Sequence, residues 1–205
     1  MSKEVIAVDL DDVVIDSAQA IIDDYNANHG TSIMLADFYS TDYSGVWNAP
    51  DKETAVNRVN QYLKSAEYFK STPHQDTLDV IESLKSVYRM FVVTGRPDFM
   101  ESATKDWLNI HMPDTFEDVI FTNYFNDRTA RTKGDICHEL GATMLIDDHV
   151  DHILTAIQKG IRGILFGNYP WNQTDHNLGL SVVRVNNWRE VGALLLNSET
   201  DRQPI

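Results

Sequence analysis

The sequence predicts an α/β fold in which helices cover both faces of a parallel sheet, with a small helical domain inserted after the first strand. Six short apolar runs have the composition of strands that are buried on both faces. They lie near residues 4–9, 88–94, 117–122, 143–147, 161–166 and 181–185. Helical patterns separate most of them, and such alternation is typical of a parallel sheet. Between Asp16 and about Thr72 there is helical patterning without a convincing strand, which indicates the insert.

The helical segments of the core repeat apolar residues about one turn apart. In DTLDVIESLKSV these are Leu78, Ile81 and Leu84, which share one face of a helix. MESATKDWLNI and VDHILTAIQKG behave similarly, and Gly160 is the expected C-cap of the second. In the insert, IIDDYNANHG and KETAVNRVNQYLKS lie on either side of the turn-rich FYSTDYSGVWNAP.

These patterns divide the chain into a core and an insert. A length of 205 residues fits one core domain that carries a smaller insert. We expect the core to comprise 1–15 and 73–198 and the helical cap domain to comprise 16–72. The polar segment 199–205 is expected to be a frayed tail.

Composition and charge exclude several classes of function. The chain has 17 basic and 31 acidic residues and a net charge of −14, which argues against a nucleic-acid polymer or an anionic membrane as partner. No apolar run has transmembrane length, and MSKEVIAVDLDD does not resemble a signal peptide. A single cysteine, Cys137, excludes an intramolecular disulfide and favours a cytoplasmic setting. We expect Cys137 to lie in or near the core of a helix.

Acidic side chains cluster where the predicted strands end. The first strand is followed by Asp9, Asp11 and Asp12, and the fourth by Asp147 and Asp148. Ligands of open parallel sheets bind beyond the carboxyl ends of the strands, so these groups are expected to meet there. Crowded carboxylates repel each other, and oxygen ligands alone suit Mg²⁺, which would offset that repulsion.

The order of these groups resembles the four motifs of the haloacid dehalogenase (HAD) superfamily of phosphotransferases. The first motif is matched by DLDDVV, residues 9–14, and the second by Thr94 at the end of MFVVT. The third is best matched by Lys133 in RTKGDI, and the fourth by Asp147 and Asp148 with Asp151. The resemblance covers most of the chain, and it implies a Rossmann-like HAD core with a helical cap.

The resemblance implies a role for each motif residue. Asp9 would be the nucleophile that forms an aspartyl-phosphate and, with the backbone carbonyl of Asp11, also a metal ligand. Asp11 would protonate the leaving oxygen and then activate water. Thr94 would hold phosphoryl oxygens, unless it only ends the strand, and Lys133 would neutralise charge on the nucleophile and phosphate.

The resemblance also implies the rest of the metal site. Asp147 would bind Mg²⁺ directly, with Asp148 or Asp151 acting through water. His149 and His152 have a spacing that zinc ligands on a helix also show, but a hard oxygen site favours Mg²⁺.

Several neighbouring residues have a structural alternative. Asp12 and Asp16 are either part of the site or solvated loop acids. Arg131 is an alternative for the motif lysine, which would then lie on the surface. In TGRP, Gly95 and Arg96 are candidate substrate-binding residues, although Arg96 would also serve to brace the turn.

The insert is expected to determine which leaving group is accepted. It is rich in aromatic residues, and Phe38 and Trp47 flank a Gly- and Ser-containing stretch suited to a lid that stacks on a base. The closest resemblance within the superfamily is to 5′(3′)-deoxyribonucleotidase-like proteins, on the segment Asp9–Asp16 and on Ile146-Asp147-Asp148. Those proteins usually have Thr-Ser-Pro in the second motif, where this chain has Thr-Gly-Arg-Pro.

The sequence therefore predicts a Mg²⁺-dependent phosphomonoester hydrolase for a small phosphorylated metabolite such as a (deoxy)nucleoside monophosphate. Alternatives with the same motifs are a sugar-phosphate phosphatase, a phosphomutase, or a scaffold that has lost activity. A phosphoreceiver signalling module uses similar groups, but it carries its acceptor aspartate on the middle strand and has no cap. The oligomeric state is not predicted.

Overall fold

The core of the protein is a six-stranded sheet in which every strand pairing is parallel. The computed structural model describes residues 3–38, 45–73, 75–122, 131–173 and 178–200. The strands are β1 (Val5–Val8), β2 (Arg89–Thr94), β3 (Val119–Phe121), β4 (Ala142–Asp147), β5 (Arg162–Phe166) and β6 (Val182–Val185). Their order is β3-β2-β1-β4-β5-β6, so β1 lies at the centre, between β2 and β4. All six predicted strands are confirmed.

Helices cover both faces of the sheet. They are α1 (Ser17–His29), α2 (Lys52–Leu63), α3 (Gln75–Lys85), α4 (Glu101–His111), α5 (Lys133–Glu139), α6 (Val150–Ile157) and α7 (Trp188–Thr200). Buried residues of α3, α4 and α7 pack on one face, and those of α5 and α6 pack on the other. This arrangement confirms the predicted α/β fold.

Strand β1 shows why the apolar run is continuous. Ile6 and Val8 pack on the face that carries α3, α4 and α7, whereas Val5 and Ala7 pack on the opposite face. Ile6, Ala7 and Val8 have no exposed surface. Full burial of a valine or isoleucine side chain contributes about 1.5–3 kcal/mol, so alternate residues stabilise two separate layers.

The helical insert between β1 and α3 has a small core of its own. Its buried residues are Ile22, Tyr25, Ile33, Phe38, Trp47 and Ala55. Helix α1 ends at Gly30, whose φ of 62° lies in the left-handed region and whose N–H bonds to the carbonyl of Asn26. The insert rejoins the core through the 3₁₀ helix Tyr68–Lys70. The exact boundaries at 15/16 and 72/73 stay predictions.

Two helix ends differ from the sequence expectation. Helix α7 continues to Thr200, so the expected tail 199–205 begins inside a helix, and its last part, 201–205, lies outside the described residues. Helix α6 has its C-cap at Gln158, and Gly160, with φ 78°, lies in the turn that follows. The chain makes that turn with a bond from the Gly160 N–H to the Ile157 carbonyl.

Two further sequence features can be compared with the fold. Cys137 is fully buried in α5, as predicted, and burial raises the pKa of its thiol to about 12. Among the helices of the described ranges, none has the length and apolar character needed to cross a bilayer.

Candidate active site

The carboxyl ends of β1, β2 and β4 meet below the helical insert, at a cavity of about 280 Å³. On the sheet side its wall contains Asp9, Asp11, Asp12, Gly95, Arg96, Lys133 and Asp148. Thr94, the last residue of β2, has no exposed surface and lies behind Gly95, and its hydroxyl accepts the Arg96 N–H at 3.2 Å. The topology therefore brings the four predicted motifs to one place.

Lys133 joins two of the acidic motifs through its ammonium group. Its Nζ lies 2.8 Å from Asp9 Oδ2 and 2.7 Å from Asp147 Oδ2. The lysine is only 1% exposed. Arg131, the alternative for this role, instead pairs with Glu139 on the surface. Of the two candidates for the motif lysine, Lys133 is therefore the one that lies among the acidic motifs.

Two local features place Lys133 at the site. Thr132 caps helix α5 by accepting the Asp135 N–H at 3.1 Å, so the lysine begins the first turn. Gly134 allows α5 to approach α6 closely, since a Cβ there would lie 2.3 Å from the Thr155 carbonyl oxygen. A larger residue would push the start of α5, and Lys133 with it, away from Asp9.

The two carboxylates on Lys133 differ in their electrostatic surroundings. Burial raises the pKa of Asp9 to about 6, although Lys133 works in the opposite direction. Burial also acts to raise the pKa of Asp147, but Lys133 and His152 hold it below its usual range. Asp147 is therefore the more firmly ionised of the two, and the single positive charge of Lys133 is shared between them.

Asp11 is held by groups from both the core and the insert. Arg96 donates to both of its oxygens, from Nε at 2.8 Å and from Nη2 at 2.9 Å. The hydroxyls of Ser17 and of Tyr68 donate to Oδ1, the second at 2.6 Å. Burial acts to raise the pKa of Asp11, but the effect of Arg96 and the other hydrogen-bond donors is larger and lowers the pKa to about 2. In this arrangement Asp11 is an ionised carboxylate.

Arg96, for which the sequence left substrate binding and bracing of the turn open, has its main side-chain contact with Asp11. The guanidinium pairs with Asp11, and its Nη1 donates to Thr104 at 2.9 Å. It is 3% exposed, and its charge lies 5.2 Å from the centre of the Tyr68 ring. Because the donors face these partners, the residue contributes to the cavity mainly by fixing Asp11.

Asp12 and Asp148 present further carboxylates to the cavity. Asp12 has a φ of 58°, and its Oδ1 accepts the Ala18 N–H at 3.0 Å. Asp148 is 8% exposed and accepts a 2.6 Å hydrogen bond from the indole of Trp171. Burial raises the pKa of both aspartates well above the usual value, and neighbouring acids add to the effect.

The remaining acids and histidines of the region are less available. Asp16 and Asp151 are exposed. The Nδ1 of His149 accepts the Asp151 N–H at 3.3 Å, and the Nδ1 of His152 lies 3.1 Å from Asp147 Oδ1. Each ring thus uses its Nδ1 for a contact within the protein, so a metal ion could be bound only through Nε2.

The donor set fits a hard divalent cation. Asp9, Asp147 and His152 offer atoms within 4.8 Å of one another. However, Lys133 and His152 already contact the two oxygens of Asp147, and the Lys133 ammonium bridges Asp147 to Asp9. The cavity wall also contains the carboxylates of Asp12 and Asp148, and such an oxygen-rich set suits Mg²⁺.

The two predicted base-stacking residues are mostly buried in the core of the insert. Phe38 and Trp47 are 5% and 7% exposed, and their ring centres are 5.0 Å apart in an edge-to-face contact. Trp47 also packs on Tyr25, whose hydroxyl donates to the Trp47 carbonyl at 2.7 Å. Both rings reach the cavity wall but expose little surface to it. Residues 39–44, the middle of the predicted lid, lie outside the described residues.

Aliphatic side chains supply most of the remaining insert-side wall. They are Ile21, Val56, Val59 and Leu63, and Met100 of the core continues the same surface. Asn60 and Lys52 add two polar groups. The sequence interpretation concentrated on aromatic residues and missed this wall, although the helical spacing of Val56, Asn60 and Leu63 on α2 is visible in the sequence.

The meeting of four motifs at the carboxyl edge of a parallel sheet, beneath a helical insert, defines a phosphatase of the haloacid dehalogenase superfamily, which is a phosphoric monoester hydrolase. A family model described as "5' nucleotidase, deoxy (Pyrimidine), cytosolic type C protein" matches residues 3–200. Because that match spans nearly the whole chain, the protein belongs to this family.

Solved structures resemble the chain over almost its full length. A haloacid dehalogenase-like hydrolase from Streptococcus pneumoniae has a TM-score of 0.68 and 19% identity, with 94% of this chain and 98% of that chain covered. For a HAD hydrolase from Bacillus subtilis bound to magnesium, the TM-score is 0.63, the identity is 10%, and coverage is 96% and 100%. A HAD family hydrolase from Deinococcus radiodurans with bound phosphate and sodium has a TM-score of 0.62, 15% identity and 96% coverage of both chains. These identities show a shared fold alone, and a comparison with curated proteins gave no match.

Proposed function

We propose that the protein is a Mg²⁺-dependent phosphomonoester hydrolase that works through an aspartyl-phosphate on Asp9. The observation that carries this proposal is the position of Asp9 at the cavity, 2.8 Å from the Lys133 ammonium and close to Asp148 and Asp11. Phosphoryl transfer depends mainly on positioning and on neutralisation of charge, and this arrangement supplies both.

The residues divide the reaction into two steps. Asp9 attacks phosphorus, the bond from phosphorus to the leaving oxygen breaks, and Asp11 gives that oxygen a proton. Asp11 then takes a proton from water, whose oxygen attacks the phosphoryl-aspartate and releases phosphate and free Asp9. Arg96 keeps Asp11 ionised, so Asp11 is ready to take the proton from water in the second step. To donate a proton in the first step, Asp11 needs a weaker contact with Arg96.

The carboxylates of Asp9 and Asp148 and the backbone carbonyl of Asp11 would hold Mg²⁺. The bound ion would offset negative charge on the phosphoryl group and on the aspartates. Lys133 acts on the opposite side of Asp9, where it also holds Asp147. Asp147 therefore serves as a partner of Lys133, and Asp148 takes the metal-ligand role that the sequence interpretation gave to Asp147. The backbone of Gly95, which lies in the cavity wall, is proposed to bind the phosphoryl oxygens, and Thr94, which has no exposed surface, is proposed to fix that turn by accepting the Arg96 N–H.

We infer that the substrate is a small phosphate ester with an apolar or aromatic leaving group, such as a (deoxy)nucleoside monophosphate. Family membership supports a nucleotide, and the aliphatic wall of the insert fits the face of a base. A sugar phosphate would turn several hydroxyl groups toward that wall, where few polar partners could replace their bonds to water.

A panel of phosphomonoesters tests this proposal. The panel contains deoxynucleotides, sugar phosphates, phosphoglycolate and a generic aryl phosphate, and phosphate release is measured with Mg²⁺ and after EDTA treatment. We expect turnover that EDTA abolishes and Mg²⁺ restores, with a preference for a nucleotide. Full turnover in metal-free buffer would contradict the metal dependence, and a phosphorylated isomer as product would identify a mutase.

A further inference from the structure

A short segment after β5 forms an aromatic platform beside the cavity. The platform comprises residues 167–172 and contains the 3₁₀ helix Pro170–Asn172. The rings of Tyr169 and Trp171 are stacked, with centres 4.6 Å apart and planes only 3° from parallel. None of these residues belongs to the four motifs that define the site.

The platform is fixed to the core at several points. Asn172 is fully buried, and its side-chain amide donates to the Phe166 carbonyl at the end of β5. Arg184 of β6 donates to the Gly167 carbonyl and to Asn172, both at 2.9 Å. The Tyr169 ring lies so close to Gly167, whose φ is 77°, that a Cβ there would meet the ring at 2.2 Å. A side chain held on such a support has little freedom to move.

From this support, two side chains reach the loops of the site. The Tyr169 hydroxyl donates to the Asp12 carbonyl at 2.8 Å. The Trp171 indole donates to Asp148 Oδ2 at 2.6 Å, and its ring also packs against the core of the helical insert. The indole bond occupies one carboxylate oxygen of Asp148 and fixes the rotation of that group. It thereby decides which oxygen is left for the cavity.

We propose that Trp171 is a positioning residue that orients Asp148 for Mg²⁺. This inference rests on the proposed function, because it takes Asp148 as a metal ligand. Trp171 reaches the cavity wall, but the role assigned to it acts through Asp148: its N–H restricts that carboxylate to one orientation before the ion arrives. Partners of this kind typically change metal affinity by about 10- to 100-fold when they are removed.

The test is a calorimetric titration of Mg²⁺ into the full chain after EDTA treatment and dialysis, without substrate. Trp171→Phe keeps an aromatic ring on the platform but removes the N–H, so we expect Kd for Mg²⁺ to rise about 10-fold or more. The matched control is Trp107→Phe, since the Trp107 indole also donates a hydrogen bond, at 2.8 Å, but to the Ser71 carbonyl. We expect its Kd to equal that of the wild type.

The stoichiometry of the titration separates orientation from folding. A partly unfolded variant binds fewer ions per chain, whereas a misoriented Asp148 raises Kd at unchanged stoichiometry. An unchanged Kd in Trp171→Phe would overturn the inference, and so would an equal rise in Trp107→Phe.

A third variant separates this inference from the proposed function. Asp148→Asn removes the ligand charge and should abolish measurable Mg²⁺ binding. If it does so while Trp171→Phe binds as the wild type does, the proposed function stands and the role of Trp171 is refuted. If the wild type itself binds no Mg²⁺, or Asp148→Asn binds it normally, the metal site of the proposed function is refuted as well.

Discussion

The sheet side and the insert side of the cavity are built from opposite kinds of side chain. On the sheet side, buried charges hold one another at hydrogen-bond distance, as in the contacts of Lys133 with Asp9 and Asp147. On the insert side, aliphatic side chains of α1 and α2 line the wall, and their packing sets its shape. The difference supports the proposal that the sheet side, with its fixed charges, performs the chemistry and that the insert side selects the leaving group by shape.

The largest expected effect comes from the sheet side. Asp9→Asn keeps nearly the same side-chain shape but removes the proposed nucleophile, so turnover of both an aryl phosphate and a nucleotide should fall by about 10⁴- to 10⁶-fold. Phosphate release by the purified variant is the measurement. Asp151→Asn, at an exposed acid near the same loop, is the control and should keep wild-type turnover. Substantial turnover by Asp9→Asn would mean that another group attacks phosphorus.

Removal of the buried positive charge of Lys133 should lower the stability of the fold. Lys133→Met leaves Asp9 and Asp147 without their shared partner, so we expect the free energy of unfolding to fall by about 3–5 kcal/mol. Urea unfolding followed by circular dichroism measures this. The control is Lys159→Met, since Lys159 makes its ion pair with Asp135 at the surface, and its stability should stay close to that of the wild type. If the two variants lost the same free energy of unfolding, the buried ion pairs would contribute no more to stability than the surface pair.

On the insert side, loss of a large packed side chain should reduce stability and should affect activity toward different substrates equally. Trp47→Ala removes a ring that is 7% exposed, and truncation of a buried tryptophan typically costs about 3–5 kcal/mol. Because the ring packs on Tyr25 and Phe38, we expect kcat/KM for nucleotide and aryl phosphate to change by the same factor. A loss confined to the nucleotide would instead restore Trp47 as a stacking residue.

The smallest effect should be selective. Asn60 is one of few polar groups on the insert side of the cavity, and Asn60→Ala removes a possible hydrogen bond to a leaving group. A hydrogen bond contributes about 0.5–1.5 kcal/mol, so kcat/KM for a nucleotide should fall by roughly 2- to 13-fold, with the aryl phosphate unaffected. The control is Val56→Ala, on the same helix, which removes side-chain volume but no polar group. An equal loss of kcat/KM for the nucleotide in this variant would contradict the hydrogen bond.

The same comparison explains which features the sequence could predict. The strands and the acids that follow them are local signals, because a buried parallel strand is an uninterrupted apolar run and its end faces the ligand. Lys133 was predicted from the resemblance of RTKGDI to the third motif, and the structure places it at the start of α5. The sheet side of the site is therefore visible in short stretches of sequence.

Contacts between distant segments were not visible in this way. Tyr68 lies 57 residues from Asp11, and Trp171 lies 23 residues from Asp148, yet each pair shares a 2.6 Å hydrogen bond. An aromatic residue in a helical or turn-rich segment has many possible partners, and periodicity does not choose among them. For Trp47 the two interpretations, packing and stacking, predict the same pattern, and only its neighbours in the fold distinguish them.

The central position of β1 also has a consequence for the order in which the chain folds. Val5 is paired with Arg89 on one side and Ala142 on the other, so the first strand to be synthesised has no partner until much of the chain has followed. Pairings of such long sequence separation form slowly, because closing a long loop costs entropy before contacts repay it. The insert, whose core lies within one short stretch of chain, is expected to form earlier. Once residues up to about 75 have left the ribosome, the emerged chain should therefore contain a compact helical unit attached to an unpaired, wholly apolar strand, and a chaperone would meet this species first.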